Sequence, residues 1–187
     1  MGKDKHKSKI LALFRRSPVV SFDSIQRVVG DKGYSKQLVR NMKIFPLAKG
    51  YYSSQENPQL FVFCMKPAYL GLQDAMSFHG LWEQETIPIV ITGRKIRQGI
   101  RAIMGMNVLV RRINPKYVFG FDYLQSGDLY LPYSDIEKTF IDMVYFREPL
   151  SKEALDSFRA KIDITRLKSY LKKYPLRLAK RILEKVT

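Results

Sequence analysis

The stretch SKQLVRNMK, residues 35–43, decides the reading of the fold. Set out as a helix at about 100° per residue, it places Leu38, Val39 and Met42 on one apolar arc. Lys36, Arg40 and Lys43 fall on a separate basic stripe about 60° wide, with Gln37 beside it and Asn41 near the helix end. Ser35 reads as the N-cap, since a hydroxyl there accepts a free amide of the first turn. A helix of this kind offers cations to phosphates and long polar side chains to base edges in a major groove. A merely solvated helix face carries the same residue types, so the stretch alone leaves both readings open.

Its neighbours on both sides favour the first. Upstream, Ile10, Leu11, Leu13 and Phe14 form an apolar stripe that stops at Ser17-Pro18, because a residue preceding proline is driven out of the α region. Val19 and Val20 read as extended. Ser21 then caps a second helix carrying Phe22, Ile25, Val28 and Val29, closed by Gly30. Downstream, FPLAKGYY (residues 45–52) reads as two short strands joined at Lys49-Gly50, where glycine supplies the positive φ of a tight turn. Helix, helix, tight turn, helix and hairpin make a winged helix-turn-helix over residues 8–55, with residues 1–7 a flexible basic arm. The expected DNA-contacting residues are Ser35, Lys36, Gln37, Arg40, Asn41, Lys43, Lys49 at the wing tip and Tyr51 behind it.

Charge supports a polyanionic partner. The chain carries a net +16, arranged in blocks. Residues 1–55 hold twelve Lys/Arg against three acids, residues 94–116 seven against none, and residues 161–187 nine against two. The segments between are acidic. Basic blocks that fold into one face attract nucleic acid by counterion release. Double-stranded DNA is therefore the expected partner. No apolar run approaches the ~20 residues that cross a bilayer, and no segment pairs a strongly basic face with a Trp/Phe-rich one. No membrane association is expected. Cys64 is the only cysteine, which excludes an intrachain disulfide framework and fits a reducing, cytoplasmic setting.

Residues 53–58 are polar and turn-rich, a plausible junction to a second domain over 56–187. LFVFCM (60–65) reads as a strand or a buried connector, and residues 68–79 as a helix ended by Gly80. Strands are expected at 87–92, 108–113, 117–123 and 128–131, with a hairpin turn at Gln125-Ser126-Gly127. Helices are expected at 134–146, 151–160, 163–173 and 176–186. This is a mixed α+β domain with a helical C-terminal end, so the chain as a whole is α+β.

GRKIRQGIRAIMG (93–105) reads as a basic loop that either contacts phosphates or is solvated. Arg94, Lys95, Arg97 and Arg101, with Arg111 and Arg112 downstream, are candidate additional contacts to nucleic acid or a partner. So are Lys172, Lys173, Arg177 and Arg181 in the last helices, beside the exposed positions Lys168 and Lys180. Asp122, Asp128, Asp135, Glu137 and Asp142 raise the question of metal-assisted phosphoryl chemistry. Each has a structural explanation: helix N-terminus for Asp135 and Glu137, an i,i+4 pair with Lys138 for Asp142, a turn for the other two. His79 lies at a helix end and His6 in the basic arm, so no histidine metal site is expected. No phosphate-binding loop and no nucleophile motif occurs. The expectation is a non-enzymatic protein with no catalytic residues, no metal and no cofactor.

Several motifs, in order, resemble the AbiEi-like antitoxins of type IV toxin–antitoxin (abortive infection) systems. KGYYSS (49–54) is similar to that family's basic-Gly-x-Tyr wing. AYLGLQDAMSFHGLWEQ (68–84) resembles its AYLS…HGL..Q segment. PIVIT (88–92) and LPYSDIEKTFIDMV (131–144) are similar to its later strand and helix. The resemblance implies an N-terminal winged helix on operator DNA, autoregulation, and a C-terminal domain that counteracts a nucleotidyltransferase-like toxin. Pro46 and the shortness of the wing depart from the pattern, as does the basicity of the second half. Two other readings stay open on the residues: a structure-selective nucleic-acid binder using the basic second domain, and a module docking an acidic protein.

Overall fold

The structure, a computed structural model, describes residues 2–186, with side chains from residue 5 onward. It opens with α1 (Gly2–Arg16), β1 (Val20–Ser21), α2 (Phe22–Val29), α3 (Lys32–Asn41), β2 (Phe45–Ala48) and β3 (Tyr51–Ser53). The three strands form an antiparallel sheet in the order β1-β3-β2, so the chain begins with a winged helix-turn-helix. Ile10, Phe14, Val20, Ile25 and Leu38 make its core. The local rules hold where they were strongest. The Ser21 hydroxyl accepts from the Ser24 amide at 3.1 Å, and Gly30 closes α2 at φ 87°.

Two expectations about this unit are corrected. Residues 2–7 belong to α1 rather than to a flexible arm. Lysine is a good helix former, no proline interrupts the run, and the His6 ring meets the Tyr34 ring edge-on at a centroid distance of 5.7 Å. The third helix begins at Lys32, capped by Asp31, whose carboxylate accepts from the Tyr34 amide at 2.6 Å. It ends at Asn41, before Lys43.

The rest of the chain is built on a six-stranded mixed sheet. Its strands are β4 (Ala68–Leu70), β5 (Ile89–Thr92), β6 (Gly99–Ile103), β7 (Met106–Arg112), β8 (Phe121–Ser126) and β9 (Leu129–Ser134), in the order β6-β7-β5-β4-β9-β8. A 3-10 segment (Pro58–Met65) and α4 (Gln73–Phe78) accompany them, and α5 (Ile136–Tyr145), α6 (Lys152–Lys161), α7 (Ile164–Leu171) and α8 (Leu176–Val186) follow. Asp135, Ser151 and Asp163 cap α5, α6 and α7.

LFVFCM follows the second of its two readings: it is a largely buried connector, in the 3-10 segment, rather than a strand. Two further expectations give way. The expected helix over 68–79 starts as β4 and becomes helical only at Gln73. A strand buried on both faces reads as continuous apolarity, so period could not separate strand from helix there. Gly71 makes the join: a Cβ on it would sit 2.5 Å from Ile91 Cδ1. The basic run 93–105 is not all loop, for β6 lies inside it and pairs with β7.

The sheet divides the molecule into two sides. On one, Tyr69, Ile89 and Ile91 pack against Phe140, Ile141, Phe158, Leu167 and Ile182 of the C-terminal helices. On the other, Leu70, Val90, Val108, Val110 and Leu131 pack against Leu60, Phe61 and Val62. Leu47 of β2 joins this second core. Pro46 pairs with Tyr52 and Ala48 with Tyr51, so Leu47 is the extra residue of a β-bulge, 2% exposed. The bulge turns one wing residue out of its own sheet and into the neighbouring core. The winged helix therefore rests on the side of the sheet opposite α5–α8.

Candidate nucleic-acid interface

Residue by residue, α3 sorts its side chains as a recognition helix does. Leu38 is 3% exposed and Ser35 fully buried, while Lys36, Gln37, Arg40 and Asn41 all face solvent. Ser35 thus leaves the set of expected contacts: its hydroxyl donates to the Asp31 carbonyl at 2.5 Å inside the helix. Lys43 is exposed but follows the helix end, on the connection to β2. Lys32, in the first turn, joins the outer face at the i−4 position to Lys36. It escaped the sequence reading because the helix start was set at Ser35. Asp31, a competent N-cap, is the signal for that start, and Gly33, a poor helix former in the first turn, is what obscures it.

No acid occurs in α3. All four ion pairs among the described residues lie between Arg111 and Arg166 in sequence, so none neutralises this face. Long cationic side chains without intramolecular partners keep their charge available to an incoming polyanion.

The wing is compact. Its turn carries exposed Lys49 and Gly50 at φ 78°, and the Gly50 carbonyl accepts the Phe22 amide at 2.8 Å. That bond ties the tip to the start of α2, so Lys49 lies close to the helical body rather than on a long projection. Tyr51, 39% exposed, stands next to it.

The second basic block is split by strand alternation. Arg111 and Arg112 are adjacent in β7 and so point to opposite sides of the sheet. Arg111 faces the helices, where Glu148 pairs with it at 2.5 Å and the Phe146 ring lies 5.8 Å from its guanidinium carbon. That pair engages Arg111 on the side of the sheet away from the winged helix, with its side chain still 35% exposed. Arg112 shares a face with Val108 and Val110, toward the winged helix, and is exposed. Arg94 donates to the Cys64 carbonyl at 3.0 Å, and Arg101 lies 5.8 Å from the Phe61 ring centroid while donating to the Arg97 carbonyl. Lys95 and Arg97 are exposed.

The third block lies on the far side. Arg177, Lys180 and Arg181, with Arg147 and Tyr145, line an open pocket of about 670 Å³ on α8 that holds one carboxylate, Glu184. Arg181 also donates to the Val144 carbonyl at 2.9 Å. Lys172 is exposed at the end of α7, and Lys173 covers the Phe119 ring at 3.8 Å. Lys168 is exposed on α7.

Several titratable groups of the second half are engaged structurally. Lys138 and Asp142 form a fully buried pair, and the Tyr69 hydroxyl donates to the second Asp142 oxygen at 2.7 Å. Burial pushes the Asp142 carboxyl up and the Lys138 ammonium down, each opposed by the other's charge. Asp135 caps α5, and Glu137 accepts the Asp163 amide at 2.8 Å. His79 Nε2 lies 2.7 Å from the Ser134 carbonyl. Cys64 is buried, and burial pushes its thiol up to about 12. Among the described residues, no group of three His, Cys, Asp or Glu side chains is placed to hold a metal ion. None of the described helices is long and apolar enough to cross a membrane.

Fold and surface together define an α+β protein with an N-terminal winged helix whose third helix presents a bare basic face. No protein-family model and no curated protein matches the sequence. Among solved structures, the chain is similar to the crystal structure of the Rv2827c protein from Mycobacterium tuberculosis. The alignment has a TM-score of 0.58 at 13% identity and covers 97% of this chain and 77% of that one. At that identity the likeness is one of fold, and it spans both halves of the chain.

Proposed function

We propose that this protein binds duplex DNA through α3 and acts as a transcriptional regulator. The observation that carries the reading is the outer face of α3. Lys32, Lys36, Gln37 and Arg40 are exposed there, with no acid in the helix and no ion pair to occupy them. Lys43 and Lys49 continue the charge around the helix end and onto the wing turn. Lysines and arginines supply phosphate contacts and orientation, while Gln37, Arg40 and Asn41 have the hydrogen-bonding groups to read base edges.

The double variant Lys36→Ala/Arg40→Ala tests it. Both residues are exposed, so the variant is expected to fold as wild type and to bind duplex DNA at least tenfold more weakly, with a salt dependence shallower by about 1.8 from two lost contacts. Unchanged affinity at matched salt removes α3 as the reader.

An antitoxin role in a type IV toxin–antitoxin system is the finer part of this proposal. The ordered motifs at residues 49–54, 68–84, 88–92 and 131–144 support it. A nucleotidyltransferase-like toxin would then be the protein partner, and co-purification from the native host is the measurement that decides.

A further inference from the structure

The loop and hairpin over residues 93–112 form a built element rather than a loose basic loop. Arg94 is anchored to the Cys64 carbonyl at 3.0 Å, and its amide donates to Thr92 Oγ1 at 3.1 Å. Gln98 Oε1 accepts the Arg112 amide at 3.0 Å, and Arg101 bonds the Arg97 carbonyl at 3.0 Å. Ile96, between Lys95 and Arg97, packs against the core that also receives Leu47 and Ala48 of the wing. The wing strand β2 lies directly against β6. Two of the five cations on this side, Arg94 and Arg101, hold the element together. The other three, Lys95, Arg97 and Arg112, are exposed and have no side-chain hydrogen bond or ion pair among the described residues.

An element this closely fastened beside the wing, with no acid between residues 94 and 116, has the composition of a phosphate clamp. Its cations stand on the same side of the sheet as the winged helix, and the third basic block stands on the other. We propose that Lys95, Arg97 and Arg112 grip the phosphate backbone flanking the segment read by α3, so that the contact with duplex DNA spans both halves of the chain. This rests on the reading of α3 as the DNA-binding helix. The contacts are to phosphate, so they add affinity without adding sequence preference.

The test compares the full-length wild type, the triple variant Lys95→Ala/Arg97→Ala/Arg112→Ala and the double variant Lys36→Ala/Arg40→Ala. Each is titrated onto a long random-sequence DNA duplex over a series of salt concentrations. Each phosphate contact contributes about 0.9 to the slope of log affinity against log salt, so the triple variant is expected to lose about 2.7 of slope, and at least tenfold in affinity at low salt. A triple variant that keeps wild-type slope and affinity while the double variant loses both overturns the clamp and leaves α3 in place. A loss confined to the triple variant overturns the α3 reading and with it the two-part grip. Circular dichroism checks the fold. Should the triple variant unfold, Lys95→Gln/Arg97→Gln reads the same slope, with an expected loss of about 1.8; no loss there overturns the proposal.

Discussion

Asp74 is a residue whose chemistry departs from what its place in the sequence suggests. It opens α4 and is 6% exposed, its two oxygens accepting the Ile89 amide at 3.2 Å and the Gln59 side-chain amide at 3.4 Å. Burial pushes its carboxyl up from 3.8 to about 7, and those two hydrogen bonds offset only part of the effect. The folded chain therefore holds this proton more tightly than the unfolded chain does. Stability from this group is full below about 3.8 and is lost as the pH rises through about 7. In Asp74→Asn the contribution disappears. The unfolding free energy of wild type relative to the variant, measured by urea denaturation, is expected to fall between about pH 4 and about pH 7. A constant difference would mean that Asp74 is charged throughout. Nothing in the run GLQDAMS announced this burial, because an aspartate in the first turn of a helix is ordinarily a solvated partner of the dipole. The same gap separates Ser35 and Arg111 from their expected roles: each has a suitable side chain, but Ser35 is buried and Arg111 is paired with Glu148 on the helix side of the sheet.

Among the elements, helix boundaries were legible wherever a cap and a breaker coincide. Ser21 with Gly30 and Asp163 with Pro175 do so, Ser151 marks the start of α6 by its cap alone, and α2, α6, α7 and α8 stand close to their expected places. The expected start of α3 lies four residues late because Asp31 and Ser35 are both competent caps. Asp31 wins because its carboxylate reaches the Tyr34 amide while the Ser35 side chain is consumed by the Asp31 carbonyl. Asp31→Ala is accordingly expected to destabilise the protein by about 1 kcal/mol, read as a lowered midpoint in chemical denaturation. An unchanged midpoint would show that the cap contributes nothing to α3. Strands were harder to read than helices. β4 and β6 were both missed, the first because both its faces are buried and the second because its inward positions include Gly99 and Arg101 instead of an apolar alternation.

For the whole molecule, Leu47 is the joint. A bulged wing residue closes the core beneath the six-stranded sheet, so the winged helix is keyed to the second unit rather than tethered to it. Truncation by Leu47→Ala leaves a cavity at that joint and is expected to cost about 2–5 kcal/mol. Calorimetry is expected to find one unfolding transition in the wild type and two in the variant, as the halves lose their coupling. A single transition in the variant would show that other contacts couple them. By itself, the sequence determined local pieces: the caps of α2, α6 and α7, the helix-turn-helix, Lys36 and Arg40 on the outer face of α3, and the α+β class. Those follow from interactions within a few residues along the chain. Only the tertiary structure decided where the charge goes. Strand alternation turns Arg111 toward the C-terminal helices and Arg112 toward the side of the winged helix, and docking at Leu47 sets the second basic block beside the wing. The C-terminal helices carry the third block to the opposite side. These placements depend on pairing between distant segments, which periodicity along the chain does not encode.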